Sequence, residues 1–91
     1  MRFDWDESKA AENIGKHGVP FQEATQVFYD PGMVELYDED HSIYEDRFFA
    51  IGFSSRRLLT VVFTQPTDDV IRIISAWVSR PLEVRTYEEE N

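Results

Sequence analysis

Five arginines and no lysine fall between positions 47 and 80: Arg47, Arg56, Arg57, Arg72 and Arg80. A guanidinium is planar, permanently charged and shaped for paired hydrogen bonds, so an arginine-only basic stretch points first at phosphate chemistry. For any single one of them, a solvated charge on a strand face is the simpler reading. Arg72 differs, because it interrupts the apolar run Val70-Ile71-Arg72-Ile73-Ile74. A strand apolar on both faces is normally covered on both sides, and an arginine inside it needs a partner. Either Arg72 pairs with a carboxylate such as Glu45, or it lines a groove that takes an anionic ligand. Strict alternation puts Arg72, Ile74 and Ala76 on one face, with Ile71, Ile73, Ser75 and Trp77 on the other.

The two histidines invite acid–base chemistry. His41 lies in His41-Ser42-Ile43-Tyr44-Glu45-Asp46-Arg47, at the entry to a strand. An imidazole that titrates near pH ~6.5 can give or take a proton there, or can simply fix the loop by hydrogen bonding. Lys16-His17 closes a helix, where cations suit the helix dipole without further function. Other chemistries are excluded more quickly. There is no cysteine, hence no disulfide and no thiolate nucleophile or ligand. Two histidines outside any HExxH spacing make no catalytic zinc site, and Asp38-Glu39-Asp40 lacks the glycine and ligand spacing of a calcium loop. No GxSxG, Walker A or Rossmann glycine pattern occurs. No metal and no cofactor is expected.

These residues need a scaffold, and 91 residues allow one small domain. A chain this short buries about two-thirds of its unfolded surface, so its stability margin is thin and a binding partner adds to it. Asp6 fits an N-cap with Glu7 in the first turn. Ala10, Ala11, Ile14 and His17 recur at helical spacing, and Gly18 supplies the stop. Pro20 opens a second helix with Phe21, Ala24, Val27 and Phe28 as its stripe, ended by Asp30-Pro31-Gly32. Met33–Tyr37, Arg47–Phe53, Leu58–Thr64 and Val70–Trp77 read as strands whose connections are too short for crossover helices. Ser79 is a candidate cap for a last helix carrying Leu82, Arg85 and Tyr87 into an acidic tail, 87–91, expected to fray. The expected fold is α+β: two N-terminal helices, a four-stranded antiparallel meander and a C-terminal helix, forming one domain over 1–91.

The net charge is −9, which taken whole opposes sequence-independent binding of a polyanion. It is segregated, however. Residues 1–46 hold three basic and twelve acidic groups, a net of −9. Residues 47–80 hold the five arginines against Asp68 and Asp69, a net of +3, and residues 81–91 hold one basic and four acidic groups, a net of −3. No apolar run approaches the roughly 20 residues that span a bilayer, and MRFDWDE lacks a signal-peptide core. With no cysteine, a soluble cytoplasmic protein without membrane contact is the expectation.

One ordered set of residues is specific enough to suggest a family. Phe3-Asp4-Trp5-Asp6, Lys9-Ala10, Asn13, Lys16-His17-Gly18-Val19, Phe21, Glu23-Ala24 and Val27-Phe28 resemble the opening signature of the BrnT toxins. The resemblance continues through Asp30-Pro31, His41-Ser42, Glu45, Arg47, Ile51-Gly52, Val61-Val62-Phe63-Thr64, Ile71-Arg72-Ile73-Ile74-Ser75-Ala76 and Tyr87-Glu88. It implies a type II toxin–antitoxin module: a compact ribonuclease with a RelE-like fold, acting on RNA in the bacterial cytoplasm. The implied partner is a BrnA-like antitoxin with a ribbon-helix-helix domain, and operator DNA is contacted only through that antitoxin.

By the same resemblance, Lys16, His17, His41, Glu45, Arg47 and Arg72 match polar positions of the family. Metal-free RNA cleavage needs a base for the 2′-hydroxyl, cations for the dianionic transition state and an acid for the 5′-oxygen. Arg47 and Arg72 are the candidates for holding phosphate, and His41 or Glu45 for the base. Lys16, His17 or Tyr87 then orient the substrate or act as the acid. Lys9, Asn13 and Glu23 have an equal claim as fold-holding hydrogen bonders. The chain departs from the family at Trp77, where an arginine is usual. Arg80 lies three residues on and can return that charge from the start of the last helix, while the indole either stacks on a base or packs. If the missing arginine carried transition-state charge, the expected cost is on the order of 10²–10³ in rate. The competing expectation is therefore a weakened or inactive toxin homologue, serving as binding partner and co-repressor of a ribbon-helix-helix protein.

Overall fold

The computed structural model describes residues 1–91. Strand β1 (Arg2–Asp4) leads into helix α1 (Glu7–His17). The Asp6 side chain caps α1 by accepting from the amides of Ser8, at 2.8 Å, and Lys9, at 3.2 Å. Gly18 ends it in the left-handed region, φ 68°, with its amide bonded to the Ile14 carbonyl. The second helical segment is α-helical only over α2 (Phe21–Ala24) and then tightens into a 3₁₀ turn over Thr25–Tyr29. Its buried residues Phe21, Ala24 and Val27 are spaced by three, the 3₁₀ period, which keeps them in one row against the sheet.

Strands β2 (Val34–Tyr37), β3 (Arg47–Phe53), β4 (Leu58–Thr67) and β5 (Val70–Val78) follow, and helix α3 (Pro81–Glu90) closes the chain. The sheet has five strands in the order β1-β5-β4-β3-β2. Four form the expected antiparallel meander, but β1 adds to β5 in parallel, with Arg2, Phe3 and Asp4 opposite Val70, Ile71 and Arg72. A three-residue strand carries too little periodicity to be read, so the sheet is mixed where a pure meander was expected. β4 also runs through Pro66 to Thr67, with a register shift between Thr64 and Thr67 that accommodates the proline.

Helices α1 and α2 cover one sheet face. There Ala10, Val19, Phe21, Ala24 and Val27 pack on Ala50, Leu59, Val61, Phe63, Ile71, Ile73 and Ala76. Gly52 allows the 3₁₀ turn to approach β3, because a Cβ there would lie 2.9 Å from Val27 Cγ1 and 3.2 Å from its carbonyl oxygen. Beyond Arg72, β5 has no strand on its outer side, and the buried Asn13 amide takes that place. Its Nδ2 donates to the carbonyls of Ala76 and Val19, both at 2.8 Å, and its Oδ1 accepts from the Ala76 amide and the Ser75 hydroxyl. Glu23 is likewise structural: it takes Arg57 Nε and Nη2 at 2.9 and 2.8 Å and the Ser54 hydroxyl at 2.8 Å.

Helix α3 covers a corner of the second face, with the Tyr87 ring edge-on to Phe53 at 5.4 Å and Thr60 Oγ1 donating to Glu83. Its N-cap is Arg80 and not Ser79. Glu83 at the third helical position bonds back to the Arg80 amide at 2.9 Å, while the Ser79 hydroxyl lies 2.9 Å from that of Thr60. The tail expected to fray is helical through Glu90, and Asn91 Nδ2 seats on the Gly32 carbonyl at 2.9 Å.

Candidate active site

The remainder of the second face is open to solvent, and a bulge decides which residues reach it. Val62 pairs with Ser75 but Phe63 pairs with Ile73, leaving Ile74 as an extra residue in β5. Past the bulge the alternation is inverted. Ala76 turns into the core beside Ile71 and Ile73, while Ser75 and Trp77 join Arg72 on the open face. Strict alternation had separated Trp77 from Arg72 and placed Ala76 beside it; the extra residue reverses both assignments.

A groove on this face is lined by Asp38, His41, Arg47, Phe49, Val62, Ile74, Ser75, Trp77, Arg80 and Glu83. Arg47 and Arg80 have no carboxylate partner. The Arg80 guanidinium carbon lies 4.8 Å from the centre of the Trp77 ring, a cation–π contact that holds it over the groove. Trp77 is fixed in turn, its indole N–H donating to Glu83 at 3.0 Å and its ring lying 5.9 Å from His17. His41 is 69% exposed, yet its Nδ1 lies 3.0 and 3.1 Å from the two oxygens of Asp38, whose side chain is only 7% exposed. Asp38 is itself anchored: its amide donates to the Arg47 carbonyl at 2.8 Å and its carbonyl accepts from Ser42. Nε2 of His41 is thus left free on an imidazole oriented by a carboxylate.

The groove continues along β5. A depression of about 410 Å³ is bordered by Asp4, Trp5, Asp6, Lys9, Glu45, Arg47, Arg72, Ile73 and Ile74. Arg72 is paired there with Asp4, at 2.8 and 3.2 Å, and not with Glu45. The parallel register of β1 sets the two residues side by side, a strand the sequence did not reveal. The Arg72 hydrogen bond holds the Asp4 carboxyl below its ordinary range. A further hollow on the α1 flank joins Lys16 and His17 to Ile74 and Ser75. Burial, then the charges of Lys16 and Arg80, lower the His17 pKa below its ordinary 6.5 and favour the neutral imidazole. No group of three or more His, Asp or Glu side chains is arranged to hold a metal ion.

The family model for the ribonuclease toxin BrnT of type II toxin–antitoxin systems matches residues 5–83. The chain belongs to the BrnT family. The Brucella abortus ribonuclease toxin BrnT has a similar fold, with a TM-score of 0.70, 24% sequence identity, and coverage of 88% of this chain and 97% of that one. No curated protein matches the chain.

In this BrnT fold, seven of the residues singled out from the sequence border the connected groove: His41, Glu45, Arg47, Arg72, Trp77, Lys16 and His17. Arg80 joins them from the cap of α3. Tyr87 is not among them. Its hydroxyl donates to Asp30 at 2.7 Å and ties α3 to the turn before β2, and that bond raises the phenol's pKa. Three residues of the groove escaped the sequence reading. Asp38 was absorbed into an acidic run, although its i, i+3 spacing to His41 was the available signal. Glu83 is visible only as the third residue of a helix, and Asp4 only once β1 is known.

Proposed function

We propose that this BrnT-family chain is a metal-independent endoribonuclease that works on the open sheet face and is neutralised by a BrnA-like ribbon-helix-helix antitoxin. The observation that carries the reading is the convergence of two unpartnered arginines, Arg47 and Arg80, with a carboxylate-held His41 on one groove. In this reading His41 Nε2 takes the proton of a 2′-hydroxyl, which attacks the adjacent phosphorus. Arg47 and Arg80, joined by Arg72, stabilise the dianionic phosphorane. Glu45, beside Arg47 and Arg72, is the second candidate base. Lys16 is better suited than the neutral His17 to protonate or stabilise the departing 5′-oxygen. Family membership supports RNA as the substrate class, and the bacterial cytoplasm is where such a toxin would act.

The partner surface lies elsewhere in this reading. Residues 30–46 hold seven carboxylates and no lysine or arginine. Within them the outer edge of β2 is unpaired, and Leu36, Tyr37, Ile43 and Tyr44 are exposed. That combination suits a basic, extended antitoxin segment adding to the sheet. Expression of the chain alone is expected to arrest growth, and Arg47→Ala to relieve the arrest with folding preserved. Normal growth at verified soluble expression, together with no RNA cleavage by the pure protein, defeats the proposal.

One observation favours a second reading. The depression around Arg72 is electrically balanced, with Lys9, Arg47 and Arg72 against Asp4, Asp6 and Glu45. A groove that does not attract polyanions suits a weakened homologue acting as partner and co-repressor of a ribbon-helix-helix protein, with operator DNA touched only by that partner. A stable complex with the antitoxin and no nuclease activity in the free protein is the outcome that would favour it.

A further inference from the structure

Arg47, Thr64 and Arg72 stand side by side on three adjacent strands. Arg47 of β3 is opposite Thr64 of β4, and Thr64 is opposite Arg72 of β5. Along β4 the core residues Leu59, Val61 and Phe63 alternate with Thr60, Val62 and Thr64, so Thr64 belongs to the open face with both arginines. Two inter-strand spacings, about 10 Å, separate the arginine backbones. Both side chains are long enough to meet above the threonine.

Thr64 is 1% exposed, and its Oγ1 is the one buried side-chain polar atom in the chain without a hydrogen-bond partner. Buried hydroxyls ordinarily find an acceptor, and where none exists a valine of the same shape avoids the cost. Thr60, four residues earlier on the same face, shows the ordinary case, with Ser79 and Glu83 as partners. Thr64, with its unmatched donor, stands between the strand positions of two arginines.

We infer that Thr64 completes a phosphate cradle with Arg47 and Arg72, its hydroxyl donating to a non-bridging oxygen of one backbone phosphate held between the two guanidiniums. The inference rests on the RNA-cleaving reading of this face. In the free protein Arg72 is turned away from Thr64 toward Asp4 on its other side. The two side chains are 45% and 49% exposed, and an ion pair this wet exchanges readily for a phosphate. Glu45 borders both the cavity lined by Arg47 and Arg72 and the one lined by Thr64, so the cradle requires it to give way when an anion enters.

The test compares Thr64→Val and Thr64→Ser in the full chain, using a short 2′-O-methyl RNA that binds but cannot be cleaved, and inorganic phosphate as the minimal anion. Thr64→Val is expected to melt at or above the wild-type temperature while binding the oligonucleotide about tenfold more weakly, the worth of one hydrogen bond to a charged group. Thr64→Ser is expected to bind within about twofold of wild type. Phosphate is expected to compete with the oligonucleotide in wild type and to compete less well in Thr64→Val. Unchanged affinity in Thr64→Val overturns the cradle, as does a wild-type chain that binds neither probe. A drop in melting temperature that Thr64→Ser fails to restore also overturns it, because the hydroxyl is then structural. Binding is read without turnover, so an inactive chain with a Thr64-dependent affinity defeats the nuclease reading and leaves the cradle standing.

Discussion

Asp38→Asn separates a positioned His41 from an incidental one. The Asp38 carboxylate is 7% exposed and hydrogen-bonds no side chain other than His41, and its backbone is tied on both sides, to Arg47 and to Ser42. It cannot swing away, so the imidazole orientation depends on this one group. Asparagine keeps the shape but can present its NH₂ to Nδ1. The ring proton then moves to Nε2, and the nitrogen facing the groove no longer accepts a proton. General-base catalysis contributes about 10²–10⁴ in rate, equal to about 2.7–5.4 kcal/mol of barrier. The cost of His41→Ala is the ceiling for any Asp38 variant. Single-turnover cleavage of an RNA oligonucleotide, with melting temperature as the folding control, is the assay. Asp38→Asn is expected to approach the loss seen in His41→Ala, and the double variant to be no slower than His41→Ala alone. A rate for Asp38→Asn within threefold of wild type, beside an inactive His41→Ala, refutes the positioning role.

Glu23→Gln leaves the Arg57 guanidinium, 27% exposed, without its carboxylate, and is expected to cost about 3 kcal/mol, near the lower end for a broken buried pair. The Arg57 hydrogen bonds hold the Glu23 pKa below its usual 4.5. The pair's stabilisation is therefore complete above that value and is lost as pH falls through the folded-state pKa. Urea midpoints should differ between wild type and Glu23→Gln at pH ~7 and draw together as pH falls below 4.5; a constant difference contradicts the linkage. Trp77→Arg removes the platform under Arg80 and the bond to Glu83. If Arg80 already supplies the charge that an arginine at position 77 would bring, cleavage should rise less than about tenfold, and Trp77→Ala should lower it. A gain of about 10², the worth of one restored oxyanion donor, shows that Arg80 does not substitute.

Elements with strong local signals were legible in the sequence: the Asp6 cap and Gly18 stop of α1, the four meander strands and the final helix. Three features were not, each for a physical reason. β1 has three residues, below the length at which alternation means anything, and with it went the Asp4 partner of Arg72. The bulge at Ile74 leaves no mark in the pair Ile73-Ile74, yet it moves Trp77 to the face of Arg72. The tail 87–91 looked too charged to order, but Tyr87 and Asn91 hold it by bonds to Asp30 and Gly32, contacts distant in sequence. For the candidate site, residue type pointed to the arginines and His41. Asp38 and Thr64 acquire meaning only from what stands beside them, one as a buried neighbour of an imidazole and the other as a donor with no acceptor.

Cleavage of a defined RNA by the purified chain in excess EDTA, with the product ends identified, bears most directly on the proposal of metal-free chemistry on this sheet face. Attack by a 2′-hydroxyl is expected to continue in EDTA, to leave 2′,3′-cyclic phosphate and 5′-hydroxyl ends, and to disappear in folded Arg47→Ala. Cleavage that EDTA abolishes and a divalent ion restores, or no cleavage by the folded chain at all, would contradict it.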